Sequence, residues 1–107
     1  MKTLNNVKVF GFNNPNLKIK NNREEILEML NKGNIPIVDK LTDVDGDVIP
    51  RELQKPIGVV KPNTAIMIGD EIFADIEVID NVIGEYMNYE VYVENDYITK
   101  FASIEIR

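Results

Sequence analysis

Cysteine and histidine are both absent from the 107-residue chain. Without them the chain cannot build a disulfide framework, a thiolate zinc site, a Cys–His nucleophile or a Ser–His catalytic pair from its own residues. Glycine-rich phosphate loops are missing as well, because the six glycines are scattered singly and no Gly-Lys-Ser/Thr occurs. The sequence therefore predicts a protein that is not an enzyme and that carries no cofactor.

Long apolar runs are also missing. No run approaches the ~20 residues of a membrane span, and the polar start MKTLNNVKVF lacks the apolar region of a signal peptide. We therefore expect a cytoplasmic protein that makes no membrane contact.

The apolar residues that are present favour strands over helices. Fifteen isoleucines and eleven valines stand against six leucines, and β-branched side chains fit strands better than helices. No linker or low-complexity tract divides the chain, so a single domain over residues 1–107 is predicted.

One helix is predicted, at about residues 22–32. Asn22 can cap it, Glu25 can reciprocate three residues later, and Gly33 supplies a stop. Alternating apolar patterns at 7–12, at 17–20 and repeatedly from residue 35 onward read as short strands and hairpins. The predicted fold class is α+β, in which mostly antiparallel β-hairpins form a small barrel or a bent sheet and one helix covers it.

The run TDVDGDVIP raises the question of a metal site. Its acidic residues are Asp43, Asp45 and Asp47. A calcium loop begun at Asp43 needs glycine at its sixth position and glutamate at its twelfth, where this chain has Val48 and Gln54. We therefore predict that Asp45–Gly46 forms a type I′ hairpin turn. A weak cation contact at the three aspartates is the remaining metal candidate.

Four tyrosines near the C-terminus form the candidate interface. They are Tyr86, Tyr89, Tyr92 and Tyr97. Tyrosines suit binding surfaces, and they equally suit cross-strand packing within a sheet, so both roles stay open. Strand parity places Tyr86 and Tyr92 on one face and Tyr89 on the other.

Two further sets of charged residues are candidates for chemistry. Asp75 with Glu77, and Glu90 with Glu94, are possible acid–base pairs if a cleft splits their pKa values, although such residues more often solvate a sheet face. The N-terminal lysines form a small basic face that we interpret as a solvated strand surface. They are Lys2, Lys8, Lys18 and Lys20.

The net charge of −6 is unevenly distributed. Residues 1–40 carry seven Lys/Arg against four Asp/Glu, a balance of +3, and residues 41–107 carry five against fourteen, a balance of −9. An acidic surface repels phosphate backbones, which disfavours direct nucleic-acid binding. Parts of opposite sign can meet within one fold or across copies.

The stretch KPIGVVKPNTAIMIGDEIFADIEVID, about a quarter of the chain, resembles strands found in small phage head and prohead-maturation proteins. The resemblance implies a virus- or prophage-encoded accessory protein. Prohead proteases need a catalytic histidine and serine, and this chain has no histidine and only Ser103, so their activity is not implied.

These features favour an interaction or assembly protein that acts through self-association or a protein partner, using exposed strand edges and the tyrosine-bearing hairpin. One alternative is an acidic inhibitor that mimics nucleic acid, which is suggested by the negative charge of residues 41–107. Another is a binder of small ligands in the mouth of the barrel, with tyrosine and asparagine side chains as contacts.

Overall fold

Seven strands, one α-helix and one turn of 3₁₀ helix make up the computed structural model, which describes residues 1–107. The strands are β1 (Lys2–Gly11), β2 (Pro36–Val38), β3 (Pro56–Val60), β4 (Ile66–Ile68), β5 (Glu71–Val78), β6 (Tyr86–Glu94) and β7 (Tyr97–Ile106). The helix is α1 (Arg23–Lys32), and the 3₁₀ turn is Arg51–Leu53. A sheet-rich α+β domain with one helix, as predicted, is thereby confirmed.

All seven strands belong to one sheet. The order is β1-β5-β3-β2-β7-β6, and β4 pairs with the free part of β5. Every pairing is antiparallel except that of β2 with β7. The predicted strand at 17–20 does not form, and β1 pairs with the distant β5 instead of with a neighbouring hairpin arm.

The sheet bends strongly but does not close, so the barrel form of the prediction is only partly correct. The outer strands β1 and β6 run in the same direction and lie side by side without pairing. Side chains bridge them: the Phe10 and Tyr89 ring centroids are 5.0 Å apart, and the Lys8 ammonium lies 5.1 Å from the centroid of the Tyr86 ring. We call this unpaired boundary the seam.

The predicted helix forms with the predicted cap. The Glu25 amide donates to Asn22 Oδ1 and the Asn22 amide donates to Glu25 Oε1, both at 2.9 Å, which completes a capping box. Gly33 follows the last turn with φ of +85°, a conformation that favours glycine. Ile26 and Leu30 are fully buried, so α1 covers the core with one apolar face.

Asparagine side chains hold α1 at both ends. Asn31 Nδ2 donates to the Ala65 carbonyl at 3.1 Å, and the Ala65 amide donates to Asn31 Oδ1 at 2.7 Å. Asn21 makes the same pair of bonds with the backbone of Ile98, at 3.1 and 2.7 Å. Each amide side chain therefore donates to and accepts from one backbone residue, as the backbone of a paired strand would.

The core shows the predicted alternation in β5 and a departure from it in β7. The inward residues of β5 are Ile72, Ala74, Ile76 and Val78, and all four are fully buried. In β7 the residues from Phe101 to Ile106 are buried on both faces, including Ser103 and Glu105. The Ser103 hydroxyl donates to Gln54 Oε1 at 3.1 Å, so the segment that follows the 3₁₀ turn covers the outer face.

Candidate functional site

The aspartate run forms a turn centred one residue earlier than the sequence predicts. The Gly46 amide donates to the Asp43 carbonyl at 3.1 Å, which makes Val44 and Asp45 the central residues. A type I′ turn needs positive φ at both Asp45 and Gly46, whereas only Gly46 has it, at +82°. The type I′ prediction is therefore wrong, and the observed turn is typical of a three-residue hairpin loop that ends in a left-handed glycine.

One carboxylate of this loop, that of Asp43, accepts hydrogen bonds from the loop backbone. Asp43 Oδ1 accepts from the amides of Asp45 at 2.9 Å and Asp47 at 3.0 Å, which is an Asx-type local cap. No three His, Cys, Asp or Glu side chains of the molecule come close enough together to hold a metal ion. The candidate cation contact at Asp43, Asp45 and Asp47 thus stays a prediction without geometric support.

Two of the four tyrosines face the seam. A bulge between Tyr86 and Asn88 shifts the register of β6, so that Tyr86 lies opposite Ile106 and Tyr89 lies opposite Ile104. Both tyrosines therefore share a face with the buried side of β7, and the parity prediction that separated them is wrong. Burial raises the pKa of Tyr86 and of Tyr89 above the usual tyrosine value.

A polar cleft of about 570 Å³ opens at the seam. Its lining includes Lys8, Asn13, Asn14, Glu71, Tyr86 and Asn88. Lys8 Nζ lies 2.6 Å from Glu71 Oε2, and the same ammonium lies over the Tyr86 ring. Lys8 is therefore paired within the cleft and does not contribute to a basic N-terminal face, and Asp70, the other carboxylate of the lining, pairs with Arg23.

The other two tyrosines are partly exposed at the far end of the β6–β7 hairpin. Tyr92 is 39% exposed, Val93 55% and Tyr97 43%. We call these three residues the hairpin end. Of the four candidate interface tyrosines, only Tyr92 and Tyr97 belong to it.

The hairpin end is held against the loop that precedes α1. The Lys20 amide donates to the Asp96 carbonyl at 2.8 Å, and the Lys20 ammonium lies 3.8 Å from the Asp96 carboxylate. Asn21 holds the backbone of Ile98 next to this turn. The apolar residues of the hairpin end are therefore displayed on a braced element.

The outer strand edges are poorly suited to pairing with another strand. Register shifts interrupt the pairing of β6 with β7 in three places and that of β1 with β5 in two, and irregular edges of this kind disfavour edge-to-edge addition. Glu90 and Glu94 on β6 and Lys8 on β1 add charge to the same edges. These edges therefore offer side chains more than free backbone hydrogen-bonding groups.

Three of the four acid–base candidates make structural contacts. Asp75 Oδ1 accepts from the Asn6 amide at 3.0 Å, and Glu77 lies 3.8 Å from Lys61. Glu90 Oε2 accepts from Gln54 Nε2 at 2.9 Å. These carboxylates thus solvate or brace the sheet. They are Asp75 and Glu77 on β5, and Glu90 with the exposed Glu94 on β6.

A second cleft, of about 460 Å³, lies between the end of α1, the 3₁₀ turn and the β6–β7 hairpin. Three cationic side chains line it, namely Lys32, Arg51 and Lys100, and no carboxylate does. We call it the basic cleft. Sequence reasoning missed it because its cations are far apart along the chain; the one signal was Lys100, a charge within the apolar pattern of β7.

No protein-family model, no curated protein and no solved structure matches the chain. The resemblance to phage head proteins accordingly stays a prediction. No helix in the structure has both the length and the apolar character needed to cross a membrane.

Proposed function

We propose that the protein is a non-enzymatic assembly protein that associates with a second copy of itself through the hairpin end. The observation that carries the proposal is the exposure of Tyr92 and Tyr97 on the same face of one braced hairpin. Val93 follows Tyr92 in the strand and points to the opposite face. Aromatic side chains of this kind are enriched at protein interfaces, where the ring is buried and the hydroxyl stays paired.

Charge favours a second copy as the occupant. Tyr92 lies in the basic cleft with Lys32, Arg51 and Lys100, while the chain as a whole carries −6. The basic side of one copy is therefore complementary to the acidic remainder of another. A virus- or prophage-encoded protein of this kind would be expected between virion genes, which inspection of the genomic neighbourhood tests.

The expected association is weak. Three side chains bury much less than the ~1,200 Å² at the lower end of stable complexes. We therefore expect a dissociation constant of about 10 μM or higher, which needs measurements at high protein concentration.

Sedimentation equilibrium over about 10 μM to 1 mM protein is the test. The weight-average mass of the wild type is expected to rise with concentration, and Tyr97→Lys is expected to stay monomeric because it places a charge within the aromatic contact. Ile83→Lys is the matched control, since Ile83 is 75% exposed and lies outside the hairpin end.

A wild type that stays monomeric over the whole range would overturn self-association. Capture of one defined protein by the wild type and not by Tyr97→Lys would then assign the hairpin end to a different partner. The nucleic-acid-mimic alternative rests on the charge of residues 41–107 alone, and no contact in the structure favours it.

A further inference from the structure

The basic cleft combines an apolar floor with a cationic rim. Ile35, Phe101 and Ala102 form the floor and are buried. The rim residues are Lys32, Arg51 and Lys100, and the walls include Tyr92 and Thr99. Its volume falls within the range of about 300–1,000 Å³ that is usual for small-molecule sites.

The positive charge of the cleft is only partly compensated. Lys32 lies 3.5 Å from Glu28, but both side chains are mostly in solvent, so the pair is weak. Arg51 lies 3.4 Å from Glu90. Lys100 makes no ion pair within the molecule, so its charge is free to meet an anion in the cleft.

Each wall of the cleft is held by contacts that do not depend on a ligand. The Asn31 hydrogen bonds to Ala65 fix the end of α1 next to Lys32. Gln54 donates to Glu90, which in turn accepts from Arg51, and the Arg51 guanidinium lies 4.4 Å from the centroid of the Tyr92 ring. The cleft is therefore largely preformed, which lowers the entropic cost of binding.

We propose that the basic cleft binds a small phosphate ester that carries an aromatic ring. The phosphate group would meet Lys100 and Lys32 at the rim, because charge-assisted hydrogen bonds to phosphate are the strongest contacts that this lining offers. The ring would lie over the apolar floor beside Tyr92, where stacking and burial add to the affinity. This site does not require self-association, although Tyr92 is common to both surfaces.

Isothermal titration calorimetry on the full chain tests the proposal with four probes. They are adenosine 5′-monophosphate, phenyl phosphate, adenosine and inorganic phosphate. We expect the two aromatic esters to bind with dissociation constants below about 1 mM. Adenosine and inorganic phosphate, which each lack one of the two groups, are expected to bind at least about tenfold more weakly.

Lys100→Gln locates the site, with Lys40→Gln as its matched control. Both lysines are exposed, neither makes an ion pair, and only Lys100 lines the cleft. Lys100→Gln is expected to weaken the binding of both esters about tenfold, and Lys40→Gln is expected to leave it unchanged.

Three results would overturn the proposal. They are no binding of either aromatic ester, binding of adenosine as tight as that of its monophosphate, and equal weakening by the two lysine substitutions. Titration of Tyr97→Lys in parallel separates the two proposals, because Tyr97 does not line the cleft and this variant is expected to bind the esters whether or not the wild type self-associates.

Discussion

Replacing Asn31 by alanine removes the contact that joins the end of α1 to the loop before β4. Two hydrogen bonds are lost, of 3.1 and 2.7 Å, and the amide and carbonyl of Ala65 lose their partners. Both bonds are partly buried, so water replaces the asparagine incompletely. Each bond contributes about 0.5–1.5 kcal/mol, and a buried group left unpaired costs about 1–3 kcal/mol. We expect Asn31→Ala to lower the free energy of unfolding by about 2–3 kcal/mol.

Urea denaturation followed by circular dichroism measures this loss. For a chain of this size the slope is about 1–3 kcal/mol per M, so the midpoint is expected to fall by about 1 M. Asn5→Ala is the matched control, because Asn5 is exposed on β1 and its side chain makes no hydrogen bond. Its free energy of unfolding is expected to stay within about 0.5 kcal/mol of that of the wild type.

Asn21→Ala repeats the experiment at the other end of α1, where the same two bonds go to Ile98. A loss similar to that of Asn31→Ala is expected. If both variants matched Asn5→Ala in stability, the interpretation of these asparagines as substitutes for strand residues would be refuted.

Two further predictions concern close packing and alkaline pH. A Cβ at residue 58 would lie 2.2 Å from the Glu77 carbonyl oxygen, so Gly58→Ala is expected to cost about 3 kcal/mol in urea denaturation. Gly46→Ala meets no atom within 4 Å at φ of +82° and is expected to cost about 1 kcal/mol; equal losses would contradict the packing argument. Burial raises the pKa of Tyr86 and Tyr89, so the folded state keeps protons that the unfolded state releases above about pH 10. Their contribution to stability is therefore constant below that pH and is lost as the pH rises further, and Tyr86→Phe is expected to flatten the decline measured between about pH 8 and 11.

Local patterns in the sequence predicted local structure well. The capping box of Asn22 and Glu25 identified α1 to within one residue, and the alternation in β5 identified its buried side chains. The capping box joins residues three positions apart, and the strand alternation joins residues two positions apart, so both features are local. The hairpin of β6 and β7 was predicted for the same reason, since its two arms are adjacent in sequence.

Features that depend on distant residues were not predictable. The pairing of β1 with β5 and the parallel contact of β2 with β7 join parts of the chain that are 60 or more residues apart, from Gly11 with Glu71 to Lys2 with Val78. The bulge that follows Tyr86 reversed the parity of Tyr89, and bulges have no reliable signature in a single sequence. The basic cleft likewise needed the fold to bring Lys32, Arg51 and Lys100 together.

The seam explains why the two ends of β6 differ, one being packed in the core and the other partly exposed. Closing the barrel would require regular parallel pairing of β1 with β6, and the bulges in both strands prevent it. Aromatic packing fills the gap instead, with the Phe10 ring 5.0 Å from Tyr89 and 5.5 Å from Phe101. Edge-to-face contacts of this kind contribute about 0.5–1.5 kcal/mol each beyond burial. The first part of β6, through Tyr89, therefore completes the core, whereas the part from Tyr92 onward pairs only with β7 and leaves Tyr92 and Val93 partly exposed.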